Sequence, residues 1–171
     1  RLDAMKVSDE CDFSKADLTQ ASVMDMDLTR ADFSKANLTN TNFSRSLMAN
    51  SDLRKTTMEK TDFTACNLIA ANFSGVKLNN VNFAKAGLSQ ADFDGATFNN
   101  VNLQEADLSL TTFNDVDLSR TQLQKAKFAQ SKVKNMKFNN QDLNGVIFDK
   151  GEVSKSSFDK TKLNKSSFFN R

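Results

Sequence analysis

Large apolar side chains recur at every fifth residue of this chain. In steps of five from Phe13 to Phe168, 32 consecutive positions hold 14 Phe, 13 Leu, 3 Val and 2 Met. We call this residue the centre of its five-residue segment. The residue two before the centre is small in 29 of 32 segments, the exceptions being Met26, Met136 and Gln141. The residue just before the centre is Asp or Asn in 16 of 32 segments.

A five-residue period matches neither common secondary structure. In a helix, five steps rotate the side chain by about 140° and scatter the centres around the axis. In a strand, an odd step sends successive centres to opposite faces. The pattern therefore predicts a backbone that turns once per segment, so that every centre faces one interior. No composition shift or linker interrupts it, which indicates one repeating domain.

Segments such as "ADFSK" (31–35), "ANLTN" (36–40), "TDFTA" (61–65) and "ADLSL" (106–110) resemble the pentapeptide-repeat family, whose consensus is A-(D/N)-(L/F)-x-x. The resemblance covers residues 11–170. It implies an all-β fold, a right-handed quadrilateral parallel β-helix with four five-residue walls per coil and about eight coils. We expect residues 11–171 to form this β-helix and residues 1–10 to cap its N-terminal end, with Leu2, Met5 and Val7 supplying apolar contacts.

The square coil makes residues twenty apart stack in columns. The predicted core comprises Phe13, Phe33, Phe73, Phe93 and Phe113 on the first wall, with Leu38, Phe43 and Leu68 on other walls. One large and one small residue per segment suit a narrow interior, because two large residues would overpack it. We expect inward-facing Gln141 to need a hydrogen-bond partner for its amide.

Outward columns are predicted to carry regular polar surfaces. Asp12, Asp32 and Asp52 stack beside Lys15, Lys35 and Lys55, and the pairs Asn79–Asn80, Asn99–Asn100 and Asn139–Asn140 form a second column. Like charges in a column repel, but the opposite sign lies beside each column. Asn ladders can hydrogen-bond from coil to coil. Two interpretations remain open: solvated walls that stabilise the rod, or a surface that docks a partner.

The composition argues against catalysis and against bound cofactors. The chain has no His, Trp, Tyr or Pro, and its five Gly are isolated. Cys11 and Cys66 lie on different walls nearly three coils apart, beyond disulfide reach, and we predict two buried thiols. We therefore expect no enzyme activity, no catalytic residue, no metal site and no cofactor.

Charge changes sign along the chain, although the net charge is only +2. Residues 1–120 hold 12 Lys and Arg against 17 Asp and Glu, a net of −5. Residues 121–171 hold 11 against 4, a net of +7. Such a rod is an axial electric dipole, which suits solubility, an acidic partner or head-to-tail association. We expect no direct nucleic-acid binding.

No run of 18 apolar residues is present, so we expect no membrane span. We expect a cytoplasmic location. Because the first residue is not Met, an upstream targeting segment stays open.

Two functions remain after these exclusions. The first is a protein-interaction module or scaffold. The second follows from the resemblance, whose best-understood bacterial members mimic B-form DNA, bind type II topoisomerases such as DNA gyrase, and protect against quinolones. That role needs a strongly acidic rod, and the basic C-terminal third departs from it. The first function is therefore our leading prediction.

The last coil is predicted to leave an apolar layer uncovered. This layer comprises Val153, Phe158, Leu163, Phe168 and Phe169. An uncovered apolar layer favours pairing with a second copy, and the resemblance implies dimers joined at C-terminal coils. We therefore predict a homodimer through the C-terminal coil. Continuation of the native chain past this layer is the competing interpretation.

Overall fold

The computed structural model describes residues 11–170, which wind into an all-β parallel solenoid. Backbone pairing joins each residue to the one twenty positions later. On the first wall one ladder passes through Asp12, Asp32, Asp52, Asn72, Asp92, Thr112, Lys132 and Glu152. Residues 11–170 contain no helix. The predicted fold class, an all-β parallel β-helix with a four-walled coil, is confirmed.

Most pairing occurs as isolated bridges, and eight short strands interrupt this pattern. The strands are β1 (Met58–Glu59), β2 (Lys77–Asn79), β3 (Thr97–Asn99), β4 (Val101–Asn102), β5 (Thr112–Asn114), β6 (Thr121–Gln122), β7 (Lys132–Lys134) and β8 (Glu152–Ser154). They form three parallel sheets with the orders β1-β2-β3, β4-β6 and β5-β7-β8. Each wall of the coil is therefore a parallel ladder of very short extended pieces.

Phenylalanine rings stack along the interior. The rings of Phe73 and Phe93 lie 5.0 Å apart and nearly parallel, and those of Phe43 and Phe63 lie 5.3 Å apart. Rings on opposite walls meet edge to face across the interior, as Phe63 and Phe73 do at 5.8 Å. Both geometries suit the charge distribution of aromatic rings. The five-residue period thus produces a continuous apolar column.

Where the residue before a centre is Asp or Asn, its side chain closes the turn of its wall. In all 16 such segments, the side-chain Oδ1 accepts a hydrogen bond from the backbone N–H two residues on, as from Ser34 to Asp32 at 2.8 Å and from Ser109 to Asp107 at 3.0 Å. This local bond is an Asx turn. The strand segments centred on β1, β2, β3, β5, β7 and β8 have Thr, Lys or Glu at this position instead. The capping residue therefore favours the turn over the extended form.

Each corner of the coil requires a left-handed backbone. Every corner residue, two positions after a centre, has a positive φ from Lys15 to Lys165 except Arg120. Most of these residues are Lys, Arg, Asn or Gln, and Leu110 at φ 60° is the bulkiest apolar one. This conformation costs a residue with a Cβ about 1–2 kcal/mol. Three of the five Gly, at 75, 95 and 145, occupy corners for this reason.

Candidate functional site: the outer walls

The predicted core residues lie where the period places them, with one difference. Seven of the eight are fully buried or nearly so: Phe33, Leu38, Phe43, Leu68, Phe73, Phe93 and Phe113. Phe13 is only half-buried, although its ring stacks on Phe33 at 5.1 Å. It lies in the first described coil, where a second layer covers it on one side.

Polar groups inside the solenoid mostly find backbone partners. Gln141 is buried, and its Nε2 donates to the carbonyl oxygens of Leu118 at 2.6 Å and Thr121 at 3.0 Å. Its Oε1 has no hydrogen-bond partner. The Cys66 thiol donates to the Phe43 carbonyl at 2.8 Å, and burial raises the pKa of Cys66 to about 12. Cys66 is therefore a neutral thiol at pH 7.

Both cysteines are free thiols. Cys66 is buried, as predicted, whereas Cys11 is half-buried. Within residues 11–170 no group of three or more His, Cys, Asp or Glu side chains is placed to hold a metal ion.

Carboxylates on the walls are tied to the turns rather than gathered in a cleft. Hydrogen bonds from Ser14 lower the pKa of Asp12, and hydrogen bonds from Ser119 lower the pKa of Asp117. The guanidinium of Arg54, 2.8 Å from Asp52, lowers the pKa of that carboxyl. In each case the neighbours favour the ionised form. These groups remain charged at neutral pH and act as acceptors.

The predicted Asn ladder is present on the second wall between the pairs Asn79–Asn80 and Asn99–Asn100, whereas Asn139 accepts a hydrogen bond from the Asp159 N–H instead. Asn100 Nδ2 donates to Asn80 Oδ1 at 2.6 Å, and Asn80 Nδ2 donates to Glu59 Oε1 at 2.7 Å. The inner pair, Asn99 and Asn79, is longer at 3.5 Å. The column ends at Arg120, where the corner loses its left-handed turn and a shallow polar recess opens. The ladder joins successive coils through side chains as well as through the backbone.

The fourth wall differs from the others in the polarity of its surface. It comprises residues 26–30 and the segments that follow at intervals of twenty. Among residues 11–170, six large apolar side chains are exposed, and five of them belong to this wall: Leu47, Ile69, Leu110, Phe168 and Phe169. Segments 46–50, 66–70 and 86–90 contain no charged residue, whereas Asp32, Lys35, Asp52, Arg54 and Lys55 lie on the first wall at the levels of the first two.

The five-residue period alone does not show the apolar character of the fourth wall. Leu47, Ile69 and Leu110 occupy three different positions within their segments, so no simple column reveals them. They share a wall, but not a column, of the coil.

The C-terminal layer is partly exposed. Leu163 is 39% exposed, Phe168 48% and Phe169 54%, whereas Val153 and Phe158 are half-buried. Consecutive corners around this layer carry Lys150, Lys155, Lys160 and Lys165. The homodimer through this coil stays a prediction. The proposed cap, residues 1–10, lies outside the described residues.

Charge is distributed along the rod as the sequence indicates. The described ion pairs, Arg45–Asp25 at 2.9 Å and Arg54–Asp52 at 2.8 Å, lie in the N-terminal half. Both are exposed, and exposed pairs contribute little to stability.

In the part of the chain that the structure describes, no helix is long and apolar enough to cross a membrane.

Comparisons with known proteins identify the repeat. A family model described as the pentapeptide repeat region matches residues 8–83, 54–123, 71–148 and 91–168. No curated protein matches the chain. Among solved structures, a trypsin-treated variant of QnrB1, a plasmid-mediated fluoroquinolone resistance protein, is similar with a TM-score of 0.72 and 20% identity. The match covers 91% of this chain and 78% of that one.

A second similar structure is HetL from the cyanobacterium Nostoc sp. strain PCC 7120, a pentapeptide repeat protein involved in regulating heterocyst differentiation. Its TM-score is 0.51 at 19% identity, with 98% of this chain and 88% of that one covered. Identities this low establish a common fold and leave function open. The family model, in contrast, matches nearly the whole described rod, so this chain belongs to the pentapeptide-repeat family.

Proposed function

We propose that this chain is a non-catalytic rod that binds a protein partner through its outer walls. The observation that carries the proposal is the contrast between the filled apolar interior of the rod and the polar and charged side chains on its outer walls. The interior is filled mostly by stacked rings and small residues, while the charged side chains lie on the open walls. A rigid surface of this kind needs little ordering on binding, which favours recognition.

The state of the ionisable groups supports the same proposal. Asp12, Asp52 and Asp117 have lowered pKa values because they accept hydrogen bonds, so they are poor proton donors at neutral pH. Cys66, whose pKa is about 12, is a poor nucleophile. These groups suit a structural role better than acid–base or covalent chemistry.

A capture experiment with wall-specific variants tests the proposal. The immobilised chain is compared with Arg54→Glu on the first wall and Asn79→Glu on the second, and bound proteins are identified by mass spectrometry. We expect a bound protein that one variant loses and the other keeps, because a docking surface occupies particular walls. A protein bound equally by the parent, both variants and an unrelated basic rod would contradict the proposal, as would no specific binding.

The alternative is a DNA-mimic that binds type II topoisomerase and confers quinolone protection. The likeness to QnrB1 in fold is the observation that favours it. The charge distribution opposes it, because residues 121–171 carry a net charge of +7 and DNA is uniformly negative. Partial mimicry would have to use the acidic residues 11–120 alone.

A gyrase supercoiling assay separates the two functions. We expect micromolar chain to leave supercoiling and its inhibition by a fluoroquinolone unchanged. Protection that Asp92→Lys weakens and Lys134→Glu preserves would instead support the mimic and identify a type II topoisomerase as the protein partner. The two substitutions change charge in opposite senses on the same wall, so each controls for the other.

A further inference from the structure

We propose that the fourth wall is a contact surface for a second copy of this chain, with the two rods side by side and antiparallel. This inference goes beyond the binding of an unrelated protein. Leu47, Ile69 and Leu110 are 47%, 40% and 49% exposed, although the rod could have placed polar residues there at no cost to its core. Exposed large apolar side chains gathered on one wall, when the other described walls expose only Leu163, indicate a covered surface.

A two-fold axis across the wall makes it self-complementary. Such an axis reverses the order of the coils and keeps each residue's position within its segment. Each coil contributes one five-residue segment, or level, to the wall. If the axis lies between the levels centred on Leu88 and Leu108, Leu47 faces Ile147 of the second copy. Ile69 then faces Ala129, and both are apolar contacts repeated by symmetry.

The charged residues of the wall are also compatible with this arrangement. Each faces an uncharged residue of the second copy, in the pairs Asp27–Ser167, Arg30–Asn170, Asp107–Gly87, Lys127–Asn67, Asp149–Ala49 and Lys150–Asn50. No like charges lie directly opposite each other, and the two Asp107 side chains that the axis relates lie one level apart. Outside the wall, the acidic part of one rod lies beside the basic third of the other, whereas parallel rods would place like charges together.

An end-to-end contact through the C-terminal layer is less favourable because it would bring like charges together. Lys150, Lys155, Lys160 and Lys165 surround the C-terminal layer at consecutive corners. Two copies meeting at this layer would bring two rings of lysine together, and their repulsion opposes the gain from burying Leu163 and Phe168. The side-by-side contact avoids that repulsion.

The contact is expected to be weak. A wall about 38 Å long and roughly 10 Å wide, from the strand spacing and rise, offers on the order of 400 Å² per copy. This is about half the area of a standard stable interface. The dimer should therefore form in concentrated solution and dissociate on dilution.

Sedimentation equilibrium over a concentration series tests the surface. Ile69→Lys introduces a charge opposite Ala129, and Thr64→Lys introduces the same charge at the equivalent position of the third wall on the same coil. We expect Ile69→Lys to raise the dimer dissociation constant at least tenfold and Thr64→Lys to change it less than twofold. Leu163→Asp, at the C-terminal layer of the third wall, should also leave it unchanged. Thermal melts verify that each variant is folded.

Crosslinking tests the orientation. In a Cys11→Ser background, Ser89→Cys places two thiols one level apart across the axis, about 4.8 Å along the rod, within reach of a bismaleimide about 10 Å long. Ala49→Cys places them five levels apart, about 24 Å, and Ala84→Cys places them on the third wall. Buried Cys66 does not compete. We expect crosslinked dimer from Ser89→Cys alone.

Each other outcome overturns the proposal in a recognisable way. A monomer at every concentration removes the contact. Crosslinking through Ala49→Cys as well as Ser89→Cys indicates parallel rods. Dimerisation that Leu163→Asp abolishes and Ile69→Lys leaves intact places the contact at the C-terminal layer, as the sequence alone predicts. None of these results bears on whether an unrelated protein binds the other walls.

Discussion

The two parts of the rod close their turns by different means. In residues 11–120 fifteen described segments carry an Asp or Asn that caps the turn, whereas in residues 121–170 only Asp142 does so. Lys127, Lys132, Lys137 and Lys162 occupy the same position in the basic part. The change of net charge along the rod and the loss of turn caps therefore arise partly from one set of substitutions. A charge pattern that suggests recognition also has a local structural cost.

In the last coil, side chains of the preceding coil replace the missing turn caps as hydrogen-bond acceptors. Asn139, Asn144 and Asp149 accept hydrogen bonds from the backbone N–H groups of residues 159, 164 and 169 at 2.8 to 2.9 Å. In the N-terminal part the cap comes from the same segment. The basic part thus depends on contacts between coils, and we expect it to be less stable locally.

The largest expected effect on stability comes from removing a phenylalanine ring, which we compare between a fully buried site in the middle of the rod and a half-buried site in its last coil. Phe73→Ala removes a fully buried side chain and should lower the free energy of unfolding by about 3–5 kcal/mol through lost transfer energy and a cavity. Phe158→Ala removes a half-buried ring from the basic part and should cost clearly less. Urea unfolding followed by circular dichroism measures both. Equal losses would show that burial does not distinguish the two coils.

Overpacking provides the complementary test of the interior. Ala91 is 4% exposed and lies beside Phe93, so Ala91→Phe should destabilise the fold by about 1–3 kcal/mol. The same unfolding measurement applies. Asp94→Phe, at an exposed outward position of the same segment, is the control, and we expect it to unfold close to the parent.

Removing a turn cap from the acidic part and adding one to the basic part should change the stability of the fold in opposite directions. Asp107→Lys removes the acceptor for the Ser109 N–H and should cost about 1 kcal/mol. Lys127→Asp, one coil further along the same wall, offers an acceptor to the N–H of Ala129 and should stabilise by a few tenths of a kcal/mol to about 1 kcal/mol. Calorimetric melting compares the two. If both substitutions destabilise, the capping explanation of the two regions is wrong.

The pH dependence of one cap tests its ionic character. Hydrogen bonds from Ser119 lower the pKa of Asp117 below 3.8, so the ionised carboxylate stabilises the fold above the unfolded-state value and this stability is lost as pH falls through the folded-state pKa. Asp117→Asn keeps an acceptor without titrating. We expect the difference in melting temperature between parent and variant to shrink from pH 5 to pH 3. Asn72→Ala, which removes an uncharged cap, should show a difference independent of pH.

The smallest expected effect concerns the corners. Ala65 has a φ of 57°, which an Asn side chain tolerates better than Ala. Ala65→Asn should stabilise by about 0.5 kcal/mol. Ala129→Asn, on a wall rather than at a corner, should bring no such gain in thermal melting, because the effect comes from the left-handed backbone.

The sequence predicted the interior more completely than the surface. A strict five-residue period leaves one way to bury every centre, and for that reason residues such as Phe73 and Leu68 could be placed in advance. The Asn ladder was also predictable, because Asn80 and Asn100 are twenty residues apart. These inferences need only the period and the size of the coil.

The turn chemistry was not predicted, although signals were present. The frequency of Asp and Asn before the centre was evident, yet its cause, an acceptor for the N–H two residues on, depends on backbone torsions. The left-handed corners were indicated by Gly75, Gly95 and Gly145 but obscured by many lysines at equivalent positions. The half-buried state of Phe13 depends on how many layers cover it, which a period does not specify.

The twenty-residue step has a consequence for how such a chain can change by insertion and deletion. Loss of a whole coil would shorten the rod and leave every wall intact. Loss of a single five-residue segment would preserve the apolar period and hence the core, yet rotate everything beyond it by a quarter turn. Leu47 and Ile69 would then fall on different walls if that segment lay between them. An insertion or deletion of any multiple of five residues therefore preserves the buried core. Only a multiple of twenty also preserves which residues share a wall, and hence any surface that a partner recognises.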